Sequence, residues 1–491
     1  MSKVYLMGVG PGDEELMTLK SARILGECTA VMYDRLAGGN ILKHINEDCE
    51  VYYVGKEPGA HYKTQDEIND LMVELAKKGH IVGRVKGGDP YVFGRGGEEA
   101  LRLIDEGIEF EVVPGITSAI AVLNYAGIPI THRGLAQSFH VFTGMSAKKL
   151  NINWDAVATC EGTLVFLMGL GSLDGIIEQL VSRGKDEKTP CAVIMRGTTA
   201  KQKKVVGDLT NISVKVKEAG LQSPCIIVVG DVVKLNSELN WKEKQPLFGL
   251  NVCVTRTKEQ AKSLTEKLIK LGAEVTEINS IKIQRTAENL EEYIYRLENY
   301  DHIIFTSVNG VNAFFDYLKE VNYDIRKIKA IFSSIGPATT KAIKDRGIIP
   351  EIEAEHFVAE SLFESLKTEV ESGEKILIPR AKIARPYLVD ELRDLECHVD
   401  EVPVYDTLMG DLVNKRAFED VDIVLYTSPS TVRNMIKMIG LEELKKKNSL
   451  AIGPITNKEL MDNGIEAFVC EEYSSEGLIE KLLEIKKNCR G

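Results

Sequence analysis

The sequence contains no cysteine pair spaced C-x-x-C, and its nine cysteines are an odd number. Both facts argue against a secreted disulfide framework and against a clustered zinc site. Its eight histidines include no H-E-x-x-H pair, so nothing supports a metal centre. No apolar run approaches the roughly 20 residues of a membrane helix. The start, Met1 to Gly8, leads straight into a glycine motif without the apolar stretch of a signal peptide. The net charge is −12, and no block of Lys and Arg is long enough to act as a nucleic-acid arm. These absences predict a protein of a reducing cytoplasm, with neither membrane nor nucleic acid as partner.

What is present is a chain of 491 residues, 44% apolar and 27% charged. That length suits roughly three or four core-forming units. Charge is uneven: residues 1–245 hold 28 Lys and Arg against 31 Asp and Glu, net −3, and residues 246–491 hold 33 against 42, net −9. Between the halves, residues 236–249 are polar, lack a period and contain Pro246 and Gly249. This stretch reads as a linker that few contacts should cross.

Both halves alternate short apolar runs with amphipathic stretches, the pattern of an α/β chain. In the first half Ile81–Val85, His140–Thr143, Leu164–Met168, Ala192–Met195 and Cys225–Val229 suit strands covered on both faces. Thr64-Gln-Asp-Glu67 is a capping box, followed by Ile68, Leu71, Leu75 and Ala76 on one helix face and a stop at Gly79. The second half repeats itself. Asp301–Val311 and Asp422–Val432 each read as a strand ending in Thr-Ser and opening into a helix. Ser334-Ile-Gly-Pro337 and Ala451-Ile-Gly-Pro454 follow at matching distances. An offset of about 120 residues means two similar lobes, since solenoid repeats are far shorter.

Gly8-Val-Gly-Pro-Gly-Asp13 follows a strand, where glycine lets a ligand approach the backbone. It fits neither nucleotide fingerprint, and a tight structural turn explains it equally well. Arg84-Val-Lys-Gly-Gly-Asp-Pro-Tyr-Val-Phe-Gly-Arg-Gly-Gly-Glu98 is stronger, because so much glycine is costly to order unless something uses it. Pro114-Gly-Ile-Thr-Ser118 adds an N-cap and an open helix start, and Gly127-Ile-Pro-Ile-Thr-His-Arg-Gly134 a turn with a basic end.

With Tyr33-Asp-Arg-Leu36 and Gly55-Lys56, these motifs stand in the order of the tetrapyrrole methylases, and residues 1 to about 240 resemble uroporphyrinogen-III C-methyltransferase. The resemblance implies two α/β lobes with S-adenosyl-L-methionine between them, and a homodimer. It implies cofactor contacts at Pro11, Gly87, Gly88, Asp89, Val92, Thr117, Ser118, Met168 and Gly197, and an acid–base pair at Asp34 and Lys56. Ser118 departs from the Ala common in that family. From the residues alone, Asp34 reads first as a capping or ion-paired carboxylate beside Arg35, and the alternative for Lys56 is a solvated surface lysine. A polyanionic tetrapyrrole on an acidic protein needs a local basic rim, for which Arg35, Lys56, Arg95 and Arg133 are candidates.

Residues 250–491 carry no nucleophile motif or metal cluster, and on their own suggest a two-lobed binding module. Val254-Thr-Arg-Thr257, Phe305-Thr-Ser-Val-Asn-Gly310, Ile378-Pro-Arg380, Val402-Pro-Val-Tyr-Asp-Thr407 and Tyr426-Thr-Ser-Pro-Ser430, with the two Gly-Pro turns, resemble uroporphyrinogen-III synthase. That family cyclises hydroxymethylbilane while inverting one ring, chiefly by folding the substrate into shape. The resemblance places Tyr405 where a tyrosine assists hydroxyl departure, Ser307, Ser428 and Thr456 at helix starts that take carboxylates, and Arg256 and Arg380 against propionates. It also implies interleaved lobes, lobe one at 250–283 plus 405–491 and lobe two at 284–404. The expectation is a two-lobed methylase, residues 1–240, a linker at 241–249 and a two-lobed synthase. A methylase of different specificity with a noncatalytic tetrapyrrole-binding half is the alternative.

Overall fold

The computed structural model of the chain describes residues 2–37, 40–46, 48–55, 64–145, 152–256, 258–410 and 415–488. It divides into two units: Met1–Ile278 with Leu412–Gly491, and Asn279–Asp411.

Five strands open the first unit: β1 Lys3–Gly8, β2 Ala30–Tyr33, β3 Glu50–Tyr53, β4 Ile81–Lys86 and β5 Phe110–Val113. They pair in the order β3-β2-β4-β1-β5, all parallel. The helix Gln65–Lys77 covers one face. Thr64 caps it, accepting from the Glu67 N–H at 3.2 Å while the Glu67 carboxylate accepts from the Thr64 N–H at 2.6 Å. Ile68, Met72, Leu75 and Ala76 are buried beneath it, and Gly79 follows at φ +97°. A second sheet holds β6 Phe139–Thr143, β7 Thr163–Leu167, β8 Pro190–Met195, β9 Lys203–Asp208 and β10 Cys225–Val229 in the order β6-β7-β10-β8-β9. Only β6 and β7 pair parallel; β10 and β9 run antiparallel to their neighbours.

In the second half, β11 Asn251–Val254 and β12 Glu274–Glu277 begin a third sheet. The chain then leaves it for β13 Ile281–Arg285, β14 His302–Phe305, β15 Ile331–Ser334, β16 Ile352–Glu353, β17 Lys375–Ala381 and β18 His398–Met409, paired β13-β18-β17-β14-β15-β16. It returns as β19 Ile423–Tyr426, β20 Asn448–Ala451 and β21 Phe468–Val469, which complete the order β12-β11-β19-β20-β21. The expected interleaving is present, but its crossings are not at Ile283 and Val404. Because β13 pairs antiparallel with the far end of β18, Ile281 opposite Met409, the first crossing moves back to 278–279 and the second lies beyond Met409. The internal repeat is real at the level of elements. β14 and β19 each run into a serine N-cap, Ser307 and Ser428, and each pairs parallel with a strand followed by a Gly-Pro helix start.

The polar stretch between the halves is packed. The Trp241 indole N–H donates to the Asn124 carbonyl at 3.1 Å, and its ring meets Tyr125 edge-on at 5.3 Å. Glu243 pairs with Lys204 at 2.8 Å, while Leu247 lies in the core of the third sheet. Within this unit, Arg196 and Lys201 of the first half pair with Asp420 and Asp422 of the second. The expectation that few contacts cross this boundary is therefore corrected: polarity marked the segment's outer face and hid the Trp241 and Leu247 anchors.

Candidate functional site

In a parallel sheet the loops at the carboxyl edge converge, and there ligands are bound. Four such loops follow β1, β2, β4 and β5. Three of them meet through bare backbone. A Cβ on Gly8 would run into the Gly88 carbonyl oxygen and, at 2.7 Å, the Gly115 Cα; one on Gly115 would strike Gly88 and Gly8 in turn. No side chain fits at either position without moving main chain. The Gly88 N–H donates to the Gly10 carbonyl at 2.7 Å, and both residues hold positive φ, +73° and +81°. Asp89 ties the loops together, one carboxylate oxygen accepting from the Tyr91 N–H at 2.8 Å and the other from the Gly115 N–H at 3.1 Å. Thr117 caps the helix Ser118–Tyr125, and the atoms nearest a Cβ on Gly88 would be the Ser118 nitrogen, at 3.8 Å, and the Thr117 Cα. Gly88, Asp89, Thr117 and Ser118 thus share one place, with Pro11 on the adjoining loop.

Gly197 joins from the second sheet. A Cβ there would collide with Val122 of the same helix. The next residue, Thr198, accepts from the Asp13 N–H at 3.1 Å, and Tyr125 donates to Asp13 at 2.8 Å. Met168 follows β7 at φ +56° and Gly197 follows β8; these strands run parallel to one another on either side of β10, so both residues leave the same edge. Val92 is an exposed side chain on the Asp89 loop.

Asp34 stands at the end of β2. Its carboxylate accepts from the Leu36 N–H at 3.0 Å and lies 3.7 Å from the Arg84 guanidinium. Behind Arg84 is a buried charge cluster that the sequence reading treated only as the start of a loop. Glu99, 0% exposed, accepts from Arg84 at 3.0 Å, from Lys86 at 2.9 Å and from Gln65 at 3.1 Å. Burial, helped by the Arg84 charge and opposed by Glu99, pulls the Lys86 ammonium below its usual range. The visible signal was two cations, Arg84 and Lys86, inside a central strand. Lys56 lies outside the described residues. The basic rim is thinner than expected: Arg35 and Arg133 are exposed, but Arg95 is paired with Glu98 at 2.6 Å.

In Asn279–Asp411, three of the expected residues cluster. The Tyr405 hydroxyl, on a residue 7% exposed, is 3.0 Å from the Ser307 Oγ, which also accepts from the Gly310 N–H at 3.0 Å. Burial pushes the Tyr405 phenol above its usual range, opposed by Ser307 and the charge of Arg380. Arg380 is 4% exposed, donates to the Arg385 carbonyl at 2.6 Å and faces Glu401 at 3.3 Å, while its Nε has no hydrogen-bond partner.

In lobe one, Arg256 donates to the Ser475 hydroxyl at 3.1 Å, and burial lowers its guanidinium from the usual value. Ser428 is an N-cap with Ser430 2.8 Å away. Thr456 is the third residue of the helix that Gly453 caps and Pro454 opens, so it stands in the first turn, with its side chain 3% exposed.

Comparisons with known proteins divide the chain the same way. The profile of the Tetrapyrrole (Corrin/Porphyrin) Methylases matches residues 3–213, and that of Uroporphyrinogen-III synthase HemD matches residues 262–480. A porphyrin biosynthesis protein HemD of Ruminiclostridium josui is 37% identical over 98% of both chains. The uroporphyrinogen-III C-methyltransferase of Bacillus subtilis is 41% identical over 70% of this chain and 72% of its own. A third relative, the S-adenosyl-L-methionine-dependent uroporphyrinogen III methyltransferase of Methanosarcina barkeri, is 50% identical over 48% of this chain and 94% of its own.

Proposed function

Because the chain belongs to the tetrapyrrole methylase family in its first half and to the uroporphyrinogen-III synthase family in its second, we propose that it is a bifunctional enzyme of tetrapyrrole synthesis. The second half cyclises hydroxymethylbilane to uroporphyrinogen III. The first half methylates that product at two pyrrole carbons, giving precorrin-2, with S-adenosyl-L-methionine as cofactor. The setting we propose is a cytoplasmic homodimer paired through the methylase half.

The glycine junction at the carboxyl edge carries the methylase assignment. Its three backbones pack where a Cβ on Gly8 or Gly115 would collide, and beside it lies the helix start at Thr117–Ser118, with the Ser118 nitrogen facing Gly88. S-adenosyl-L-methionine fits such a floor, and Pro11, Gly87, Gly88, Asp89, Val92, Thr117, Ser118, Met168 and Gly197 would hold it. When bound it supplies an electrophilic methyl on sulfur. The protein's work is then to hold the pyrrole carbon in line and to manage charge. Asp34, fixed by the Leu36 N–H and Arg84, steadies the cation that forms on the ring or takes its proton. Lys56 would be its acid–base partner, and Arg35 and Arg133, with Arg95 on release from Glu98, would meet substrate carboxylates.

In the synthase half, Tyr405 is the proposed proton donor to the departing hydroxyl. Its raised phenol pKa keeps the proton in place, and Ser307, 3.0 Å away, holds the phenol oxygen in position. Arg380, Arg256, Ser428 and the helix starts, Thr456 in the first turn after Gly453 among them, take carboxylates. Isomer analysis after oxidation tests this half: hydroxymethylbilane alone should yield type III ring. Only the uninverted isomer, the product of spontaneous closure, would contradict it.

A further inference from the structure

The loop Arg196–Gln202 carries Gly197, and its conformation is unusual. Arg196 and Thr198 both sit at positive φ, +46° and +74°, although neither is glycine. Such backbone is costly and persists only where its surroundings over-determine it. Part of the restraint comes from the methylase half. The Thr198 N–H donates to the Gln202 side chain at 2.9 Å, the Thr199 hydroxyl to the Arg196 carbonyl at 2.9 Å, and Val122 closes against Gly197.

The rest comes from the synthase half, within the same unit of the structure. The Arg196 guanidinium makes a two-pronged pair with the Asp420 carboxylate, one bond at 3.1 Å. Lys201 pairs with Asp422, whose other oxygen accepts from the Asn251 N–H at 2.8 Å at the start of β11. Between them, the Ala200 N–H donates to the half-buried Glu274 carboxylate at 2.7 Å. Three carboxylates from two segments of lobe one, Glu274 on β12 and Asp420 and Asp422 just before β19, thus hold one short loop at both ends and in the middle. Bidentate Arg–carboxylate pairs fix direction as well as distance. Deletion of the second half would leave the loop's cations unpaired and its strained residues restrained from one side only.

We propose that Asp420, Asp422 and Glu274 are positioning residues of the methyltransferase, contributed by the synthase domain: they clamp the Arg196–Gln202 loop and thereby set the affinity for S-adenosyl-L-methionine. The inference rests on Gly197 lining the cofactor site. It makes the synthase half a structural part of the methylase, in addition to its own activity.

The test is calorimetric titration of S-adenosylhomocysteine into the full chain, for wild type and for Asp420→Ala, Lys201→Met and Gly88→Val. Asp420→Ala and Lys201→Met should each weaken binding about tenfold, a usual coupling between sites. The KM for S-adenosyl-L-methionine should rise equally, with kcat little changed. Type III isomer formation from hydroxymethylbilane reports that lobe one is folded and should hold at the wild-type rate. In the double variant Asp420→Ala, Arg196→Met the loss should not exceed that of the larger single change, because both remove one interaction. Wild-type affinity in Asp420→Ala and Lys201→Met, with binding lost in Gly88→Val, would overturn the clamp alone. Wild-type affinity in Gly88→Val as well would overturn the cofactor site on which it rests.

Discussion

Gly88 and Tyr405 are the residues on which the two proposed chemistries can be separated. At Gly88 the left-handed φ penalises any L side chain, and the adjacent Gly8–Gly115 contact leaves the backbone no room to shift. Gly88→Val should therefore lower methyl transfer more than tenfold, about 1.4 kcal/mol or beyond, while isomer synthesis continues. Steady-state assays of both activities on one preparation check this. Tyr405→Phe should do the reverse, slowing cyclisation roughly 10²-fold in line with general-acid effects, so that unconsumed bilane closes to the uninverted isomer. Unchanged turnover would reduce Tyr405 to packing. At this scale the motif residues were legible because glycine loops and Thr-Ser strand ends are local in sequence. The Arg84–Lys86–Glu99 cluster was not, since Glu99 reaches back from a helix to a strand and the sequence does not print that meeting.

Elements were read best where a local signal fixed their ends. The Thr64 capping box and Gly79 bound the helix Gln65–Lys77 as expected. Thr64→Ala should cost about 1 kcal/mol, the usual worth of such a cap, seen as a lowered chemical-denaturation midpoint for the first unit; no change would show that tertiary packing alone sets this helix end. Strands were legible as apolar runs, but their partners were not. Ile281-Lys-Ile-Gln-Arg285 alternates and is half-buried, which suits an edge strand of either lobe. Only its antiparallel register with the end of β18 assigns it to the second lobe, and that register is a long-range fact. Likewise the apolar run 164–168 ends one residue early as a strand, because Met168 turns left-handed at the sheet edge.

For the whole molecule, the division into a methylase half and an interleaved synthase half was visible in motif order, whereas the packed boundary was not. Ion pairs such as Arg196–Asp420 join residues more than two hundred positions apart, beyond any local pattern. Contact between the halves does not by itself make a channel. Both halves are net acidic, at −3 and −9, so no electrostatic track guides a polyanionic intermediate. Added unlabelled uroporphyrinogen III should therefore dilute label arriving from labelled hydroxymethylbilane; undiluted label in the product would reveal direct transfer. The most direct test of bifunctionality gives the full chain hydroxymethylbilane and S-adenosyl-L-methionine carrying a deuterated methyl, and reads the product by mass. The expected product is a type III macrocycle with two labelled methyl groups on ring carbons. A type III ring without label, or label on a ring supplied ready-made but none on one made from the bilane, would contradict it.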